Sequence, residues 1–288
     1  MTQMNNMLER RFTPGSNWLY CKIYMGSSLS DKILEKEINR VVLTTIHEHV
    51  DLFFFIRYSD PDYHLRLRFK LNSPDRVGNV VMTIHNTLKH LIESGHIRKI
   101  QYDTYEREIE RYGMETIEDS EHLFFNNSMA CLELFKILNK TTIDNRVFVA
   151  TKMIKSILDC FCFDSQVQVE VIDYLSTSFK KEFGIQKHSK QINRLYRQWR
   201  SELTHFMNGT STDSLLLDCD SIINKMGSLD KPFICSIMKK VPLHRQKELV
   251  YSYVHMMMNR LFVSRQRMME LIVYECLYKY YKSENQKH

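Results

Sequence analysis

The period of the apolar positions changes once along the chain, near residue 113. Before it, short runs of strand type alternate with helical stripes. Asn17 to Met25 (NWLYCKIYM) is rich in aromatic and β-branched residues and predicts a strand. Ile33, Leu34, Ile38, Val41, Val42 and Thr45 then recur at helical spacing, with Ser30 or Asp31 placed to cap that helix. Leu52 to Tyr58 and His64 to Leu71 read as two strands joined by the turn Ser59-Asp60-Pro61-Asp62. A second amphipathic helix covers about Asp75 to Glu93, and Ile97 to Arg107 returns as a strand. This order predicts a split βαβ, ferredoxin-like sheet with both helices on one face, leaving the other face open to a partner or a second domain.

From 114 to 288 the period is helical almost throughout, over 120–139, 144–161, 166–183, 187–206, 213–226 and a long last helix, 243–281. Breaks are expected at Gly113, Gly184, Asn208-Gly209, Gly227 and Pro242. The expected class is α+β, residues 1–113 forming the ferredoxin-like part and 114–288 a helical part. No flexible linker separates them, so tight packing is expected.

Composition narrows the function classes. The chain has 288 residues with 43% hydrophobic and 26% charged positions, enough for a sizeable core. No apolar run approaches the roughly 20 residues of a membrane-spanning helix, and MTQMNNMLERRF has no secretory-signal core. Seven scattered Cys without a recurring C-x2-C spacing indicate free thiols, and so a reducing cytoplasm. A net charge of +6, spread over both halves, is not the clustered footprint of a nucleic-acid binder. His47 and His49 lie at i, i+2 on divergent helix faces, unlike the i, i+4 metal pair of a metalloprotease.

Chemistry concentrates in two stretches. In the strand from His64 to Leu71, alternation sends Leu65, Leu67 and Phe69 to one face and His64, Arg66, Arg68 and Lys70 to the other. The second row is either a solvated face or a carboxylate- or enolate-binding surface, because Arg meets a carboxylate bidentately. Gln101, Asp103, Tyr105 and Arg107 alternate onto one face of the last strand, with Asp103 or Glu110 available to neutralise an Arg. In the last helix His255 and Asn259 share a face with Tyr251 one turn earlier, a grouping suited to proton transfer.

Four blocks occur together and in order: Trp18 to Tyr24, Phe54 to Phe69 (FFIRYSDPDYHLRLRF), Tyr105 to Gly113, and His255-Met-Met-Met-Asn-Arg-Leu261. With them the chain resembles the thiopeptide-type bacteriocin biosynthesis family, including the C-terminal glutamate-elimination domain of lantibiotic dehydratases, over about residues 15 to 280. Met114 stands where relatives often carry a second Gly. The resemblance implies the stand-alone small subunit of a split dehydratase in the bacterial cytoplasm. A separate subunit would transfer glutamate from glutamyl-tRNA to Ser or Thr of a ribosomal precursor peptide. This chain would then eliminate glutamate to leave dehydroalanine or dehydrobutyrine.

The same resemblance implies His255, Arg66, Arg68 and Arg107 as catalytic residues. It leaves Arg107 or Arg111 open as the third functional Arg. Arg57, His64, Arg111, Tyr251 and Asn259 are the expected substrate contacts. No metal or organic cofactor and no direct nucleic-acid contact are expected, a homodimer is allowed, and the reacting site is expected between the open sheet face and the helical part. Two other readings stand beside elimination: closure of a pyridine ring from two dehydroalanines, and a non-catalytic subunit that docks the precursor.

Overall fold

The computed structural model describes residues 9–183 and 185–285. Gly184, expected as a helix break, and the first eight residues, read for a signal segment, lie outside the described residues. The strands are β1 (Arg11–Phe12), β2 (Trp18–Met25), β3 (Val50–Ser59), β4 (Tyr63–Leu71), β5 (Ile97–Asp103) and β6 (Tyr105–Glu106). The helices are α1 (Ser30–Ile33), α2 (Asn39–Thr45), α3 (Val77–Glu93), α4 (Ile109–Tyr112), α5 (Ile117–Leu138), α6 (Ile143–Cys160), α7 (Ser165–Phe183), α8 (Ile185–Met207), α9 (Ser214–Lys240), α10 (Leu243–Leu261) and α11 (Gln266–Asn285). The chain divides by packing into Met1–Met129 and Ala130–His288.

In the first unit the main sheet has the antiparallel order β3-β4-β2-β5, the ferredoxin-like order expected from the sequence. Leu65, Leu67 and Phe69 of β4, Phe53 and Phe55 of β3, and Cys21 and Ile23 of β2 have no exposed surface. Each Leu or Phe so buried contributes about 1.5–3 kcal/mol. Leu34 and Ile38 between α1 and α2, Val41 and Val42 of α2, and Val80, Ile84 and Leu88 of α3, are buried as completely. These stripes cover that face of the sheet.

Ser30 and Asp31 do not cap α1: no side-chain cap bond forms there. Ser30 Oγ lies 2.7 Å from Arg57 Nη1 and Asp31 Oδ1 lies 2.6 Å from Nη2. A buried cation on β3 outcompetes a backbone N–H for these two acceptors, since charge-assisted bonds are about twice as strong as neutral ones.

The strand expected over 97–107 is interrupted. β5 ends at Asp103, whose carboxylate accepts from the Thr104 backbone N–H at 2.7 Å. Tyr105 and Glu106 then pair instead with Phe12 and Arg11 of β1 as a separate two-stranded sheet. The start of α5 also belongs with this unit. Phe124 packs edge-on against Phe54 and Tyr112, and Ser128 Oγ accepts from the Phe55 N–H of edge strand β3. The change expected at Gly113 therefore precedes the division by packing. Gly113 itself ends α4 at φ +80°, where an L side chain would be strained.

The second unit is helical, with α6 against α9 and α7 against α11 as its largest helix contacts. Two expected boundaries differ here. Gly227 does not end a helix but lies inside α9, which runs on through Pro232 to Lys240. A Cβ at Gly227 would come within 2.6 Å of Ser156 Oγ, so its glycine serves close approach of α9 to α6. The long final helix is two helices. Phe262 leaves the helical region, Arg265 adopts φ +51°, and α11 packs on α10. No Gly or Pro marks this turn, so periodicity alone carried the pattern across it. Arg146 Nη1 donates to the Leu261 carbonyl at 2.9 Å, completing the C-terminus of α10.

Candidate functional site

On the sheet face opposite α1, α2 and α3, where the start of α5 packs on Phe54, register aligns three rows: Tyr20, Lys22 and Tyr24 of β2 beside Arg68, Arg66 and His64 of β4, with Phe54, Ile56 and Tyr58 of β3 on the other flank. Arg68 is only 7% exposed, yet no carboxylate pairs with it among the described residues and its Nε has no acceptor. Its guanidinium lies 4.8, 5.3 and 5.1 Å from the rings of Tyr20, Phe54 and Tyr105. Aromatic faces hold the cation without neutralising it. A buried charge without a counter-ion is costly, and an incoming anion would relieve that cost.

Arg66 lies over the Tyr58 ring at 3.4 Å and donates through Nε to His64 Nε2 at 3.1 Å. Its remaining donors are unclaimed by any carboxylate among the described residues. Lys22, the third cation of the row, is spoken for: Asp103 Oδ2 accepts from it at 2.6 Å. That bond comes first among the causes that hold the Asp103 carboxyl below its ordinary pKa.

The other arginines expected at the site are paired. Arg57 is buried on the opposite, helix-covered face, bound to Asp31, Ser30 and Tyr63. Arg107 meets buried Glu121 bidentately, Nε to Oε1 at 2.8 Å and Nη2 to Oε2 at 2.7 Å, and reaches the Glu9 carbonyl at 3.1 Å. It is thus off the main sheet but not remote. Tyr105, whose ring faces Arg68, donates its hydroxyl to the same Glu121 at 3.0 Å. Burial, and then Glu121, push the Tyr105 phenol far up, so it stays a donor. The counter-ion is Glu121, which the sequence reading missed, rather than Asp103 or Glu110; its place on α5 is decided by packing. Arg111, half exposed on α4, pairs with Glu108 at 3.3 Å.

In the helical unit, the α10–α11 hairpin sets a carboxylate behind His255. Glu270 Oε2 lies 3.1 Å from His255 Nδ1, and Glu270 has no exposed surface. Gln266 Nε2 donates to Glu270 Oε1 at 2.8 Å, Tyr274 donates to Oε2 at 3.0 Å, and Asn259 Nδ2 donates to Gln266 Oε1 at 3.1 Å. Nδ1 therefore carries a proton toward Glu270, and Nε2 lies on the other edge of the ring, on a side chain 36% exposed. Burial, and then Glu270, push the Tyr274 phenol well above its usual range. Tyr251 is not in this network. It stacks on the exposed Tyr174 of α7 at 4.4 Å, and burial raises its pKa to about 12. Glu270, Gln266 and Tyr274 were not anticipated, because they were assigned to the same helix as His255. The fold-back at 262–265, recognised, would have exposed them.

A ferredoxin-like sheet carrying two arginines that no carboxylate claims among the described residues, and a helical unit carrying a carboxylate-oriented histidine, are the two clusters with chemistry to offer. The family model described as lantibiotic biosynthesis dehydratase C-term matches residues 18–281, and the chain belongs to that family. The subtilin biosynthesis protein SpaB of Bacillus subtilis is 26% identical over 97% of this chain, which spans 27% of that relative's length. Two solved structures share the fold. The tRNA dependent lantibiotic dehydratase MibB from Microbispora sp. 107891 matches at TM-score 0.78, 18% identity, 96% of this chain and 29% of its own. The pyridine synthase TbtD from thiomuracin biosynthesis matches at TM-score 0.64, 10% identity, 95% of this chain and 100% of its own. Among the described residues no helix is long and apolar enough to cross a membrane.

Proposed function

We propose that this chain is a lyase that eliminates glutamate from glutamylated Ser or Thr of a ribosomally made precursor peptide, leaving dehydroalanine or dehydrobutyrine. Its partners are that peptide and the glutamylating activity that uses glutamyl-tRNA in the cytoplasm; the described residues do not themselves activate glutamate. The observation that carries the reading is Arg68, a buried guanidinium held by three rings with no carboxylate partner among the described residues. A glutamyl group brings the carboxylate this cation lacks.

The step removes the α-proton of the modified residue and breaks its Cβ–O bond, and the glutamate leaves as a free carboxylate. His255 Nε2 takes the proton, while Glu270 at Nδ1 stabilises the imidazolium that forms. Arg68 and Arg66 bind the glutamyl carboxylates and stabilise the departing one. Arg107 acts through Glu121 and Tyr105, which fix one wall of the Arg68 cage. Arg57 and Arg111, bound to acidic partners in the free chain, hold structure rather than substrate.

Pyridine closure is the second reading, favoured by the match to TbtD over that chain's whole length. It joins two dehydrated residues and needs no site for a glutamyl carboxylate, so Arg68 gives elimination the advantage. The test is incubation of purified glutamylated precursor with the chain and with His255→Ala and Arg66→Ala. Loss of a proton-transfer group costs about 100- to 10,000-fold in rate. Both variants should accumulate intact adduct by mass; His255→Ala should still bind it, and Arg66→Ala should bind it weakly. Normal dehydration by both variants would reject elimination.

A further inference from the structure

His64 has no exposed surface and lies between two rings, Tyr24 of β2 at 4.7 Å and Tyr58 of β3 at 5.5 Å. Its two nitrogens have partners of opposite kind. Nδ1 lies 2.8 Å from the carbonyl oxygen of Asp62, which only accepts, so Nδ1 carries the proton. Nε2 lies 3.1 Å from Nε of Arg66, which only donates, so Nε2 carries the lone pair. Together the two contacts fix a single neutral tautomer. They also clamp Arg66 between an imidazole and the Tyr58 face 3.4 Å from its guanidinium carbon.

Protonation at Nε2 would remove the acceptor and set an imidazolium against the guanidinium. The surroundings oppose that proton. Arg66 on the same strand, Lys22 of β2, and Arg98 and Lys99 of β5, which reach the Tyr24 ring, are cationic. Asp60 and Asp62 in the β3–β4 turn are the acidic groups nearby, and Asp62 is already paired with Arg98. Tyr24 and Tyr58 supply only ring faces.

We propose that His64 is a positioning residue rather than a substrate contact: its neutral imidazole aims the Arg66 guanidinium, and acid releases that guanidinium and weakens carboxylate binding. This rests on the reading of Arg66 as a carboxylate-binding residue. Burial depresses the imidazole pKa, with Arg66 and Lys22 adding to the effect and the bond to Asp62 opposing it. The device therefore holds through neutral pH and fails below the ordinary histidine range.

Two measurements on the full chain separate this device from the elimination reading. Nitrogen-15 NMR of the His64 ring should show the Nδ1–H tautomer, titrating below the usual ~6.5. Arg66→Met removes both the donor and the like charge and should raise that pKa. An imidazole that titrates at its ordinary pH and ignores Arg66→Met would overturn the proposal whatever the chain's activity. With glutamylated precursor, KM should rise about 10- to 100-fold as pH falls through the His64 titration, the value of one hydrogen bond to a charged group. In His64→Gln, whose amide oxygen accepts without titrating, that acid rise in KM should vanish while kcat at neutral pH stays near the parent value. An unchanged KM limb in His64→Gln would also overturn the proposal. Absence of any turnover would count against elimination and leave the NMR result to decide the device.

Discussion

Strand β4 and the α10–α11 hairpin solve opposite electrostatic problems. On β4, Arg66 and Arg68 are held by rings and by a neutral histidine, and no carboxylate among the described residues claims them. In the hairpin a carboxylate is fully buried behind one histidine, with Gln266 and Tyr274 donating to it and Arg267 3.9 Å away. A cation kept without an anion is prepared for ground-state binding of one. An imidazole with an anion behind it is prepared to gain a proton. The contrast predicts that damage to β4 appears in affinity and damage to the hairpin appears in turnover.

The neutralised arginines in the same sheet unit sharpen the point. Arg57 with Asp31, and Arg107 with Glu121, show that this fold can supply counter-ions to buried cations, so the lack of one for Arg68 among the described residues is a property of that position. Glu121→Ala strands Arg107 and frees the Tyr105 hydroxyl. Breaking a buried pair costs about 3–5 kcal/mol, and a denaturant titration should read a loss of that order. A neutral result would mean that Glu118, 3.5 Å from Arg107 Nη2, takes over.

Glu270→Gln tests the other half of the comparison. It should lower kcat by about 100-fold with little change in KM, because the imidazole loses the anion that steadies its charged form. A change confined to KM would remove the distinction between the two regions. The smallest effect is expected from Arg68→Lys, which keeps the charge but not the fork. Hydrogen bonds to charged groups are worth about 1.5–3 kcal/mol, so KM for glutamylated peptide should rise about 10- to 100-fold while kcat moves less. Equal loss of kcat and kcat/KM would instead assign Arg68 to the transition state alone.

The order of strands and helices in the first unit was legible because each element there carries one strong local period. β2, β3, β4 and α3 lie close to the segments read from apolar spacing, and the alternation on β4 separated Leu65, Leu67 and Phe69 from Arg66 and Arg68. The same sequence offered no local sign that Thr104 breaks a strand or that the chain turns back at Arg265. Both are decided by what surrounds them: β1 claims Tyr105 and Glu106, and α7 and α6 take most of the packing surface of α11.

What the sequence determined by itself is therefore the inventory and the faces. A strand period of two and a helix period of 3.6 place side chains without reference to distant residues. Which charges pair is another matter, since Coulombic and hydrogen-bonded partners are chosen by distance in space. Arg57 found Asp31 at 26 residues' separation, Arg107 found Glu121 at 14, and His255 found Glu270 at 15 across a turn that no residue type announced. Among the described residues Arg68 found none, although acidic residues precede and follow it in the chain. Only the packed structure decided that, because rings from β2, β3 and β6 fill the space beside it where a counter-ion would otherwise reach.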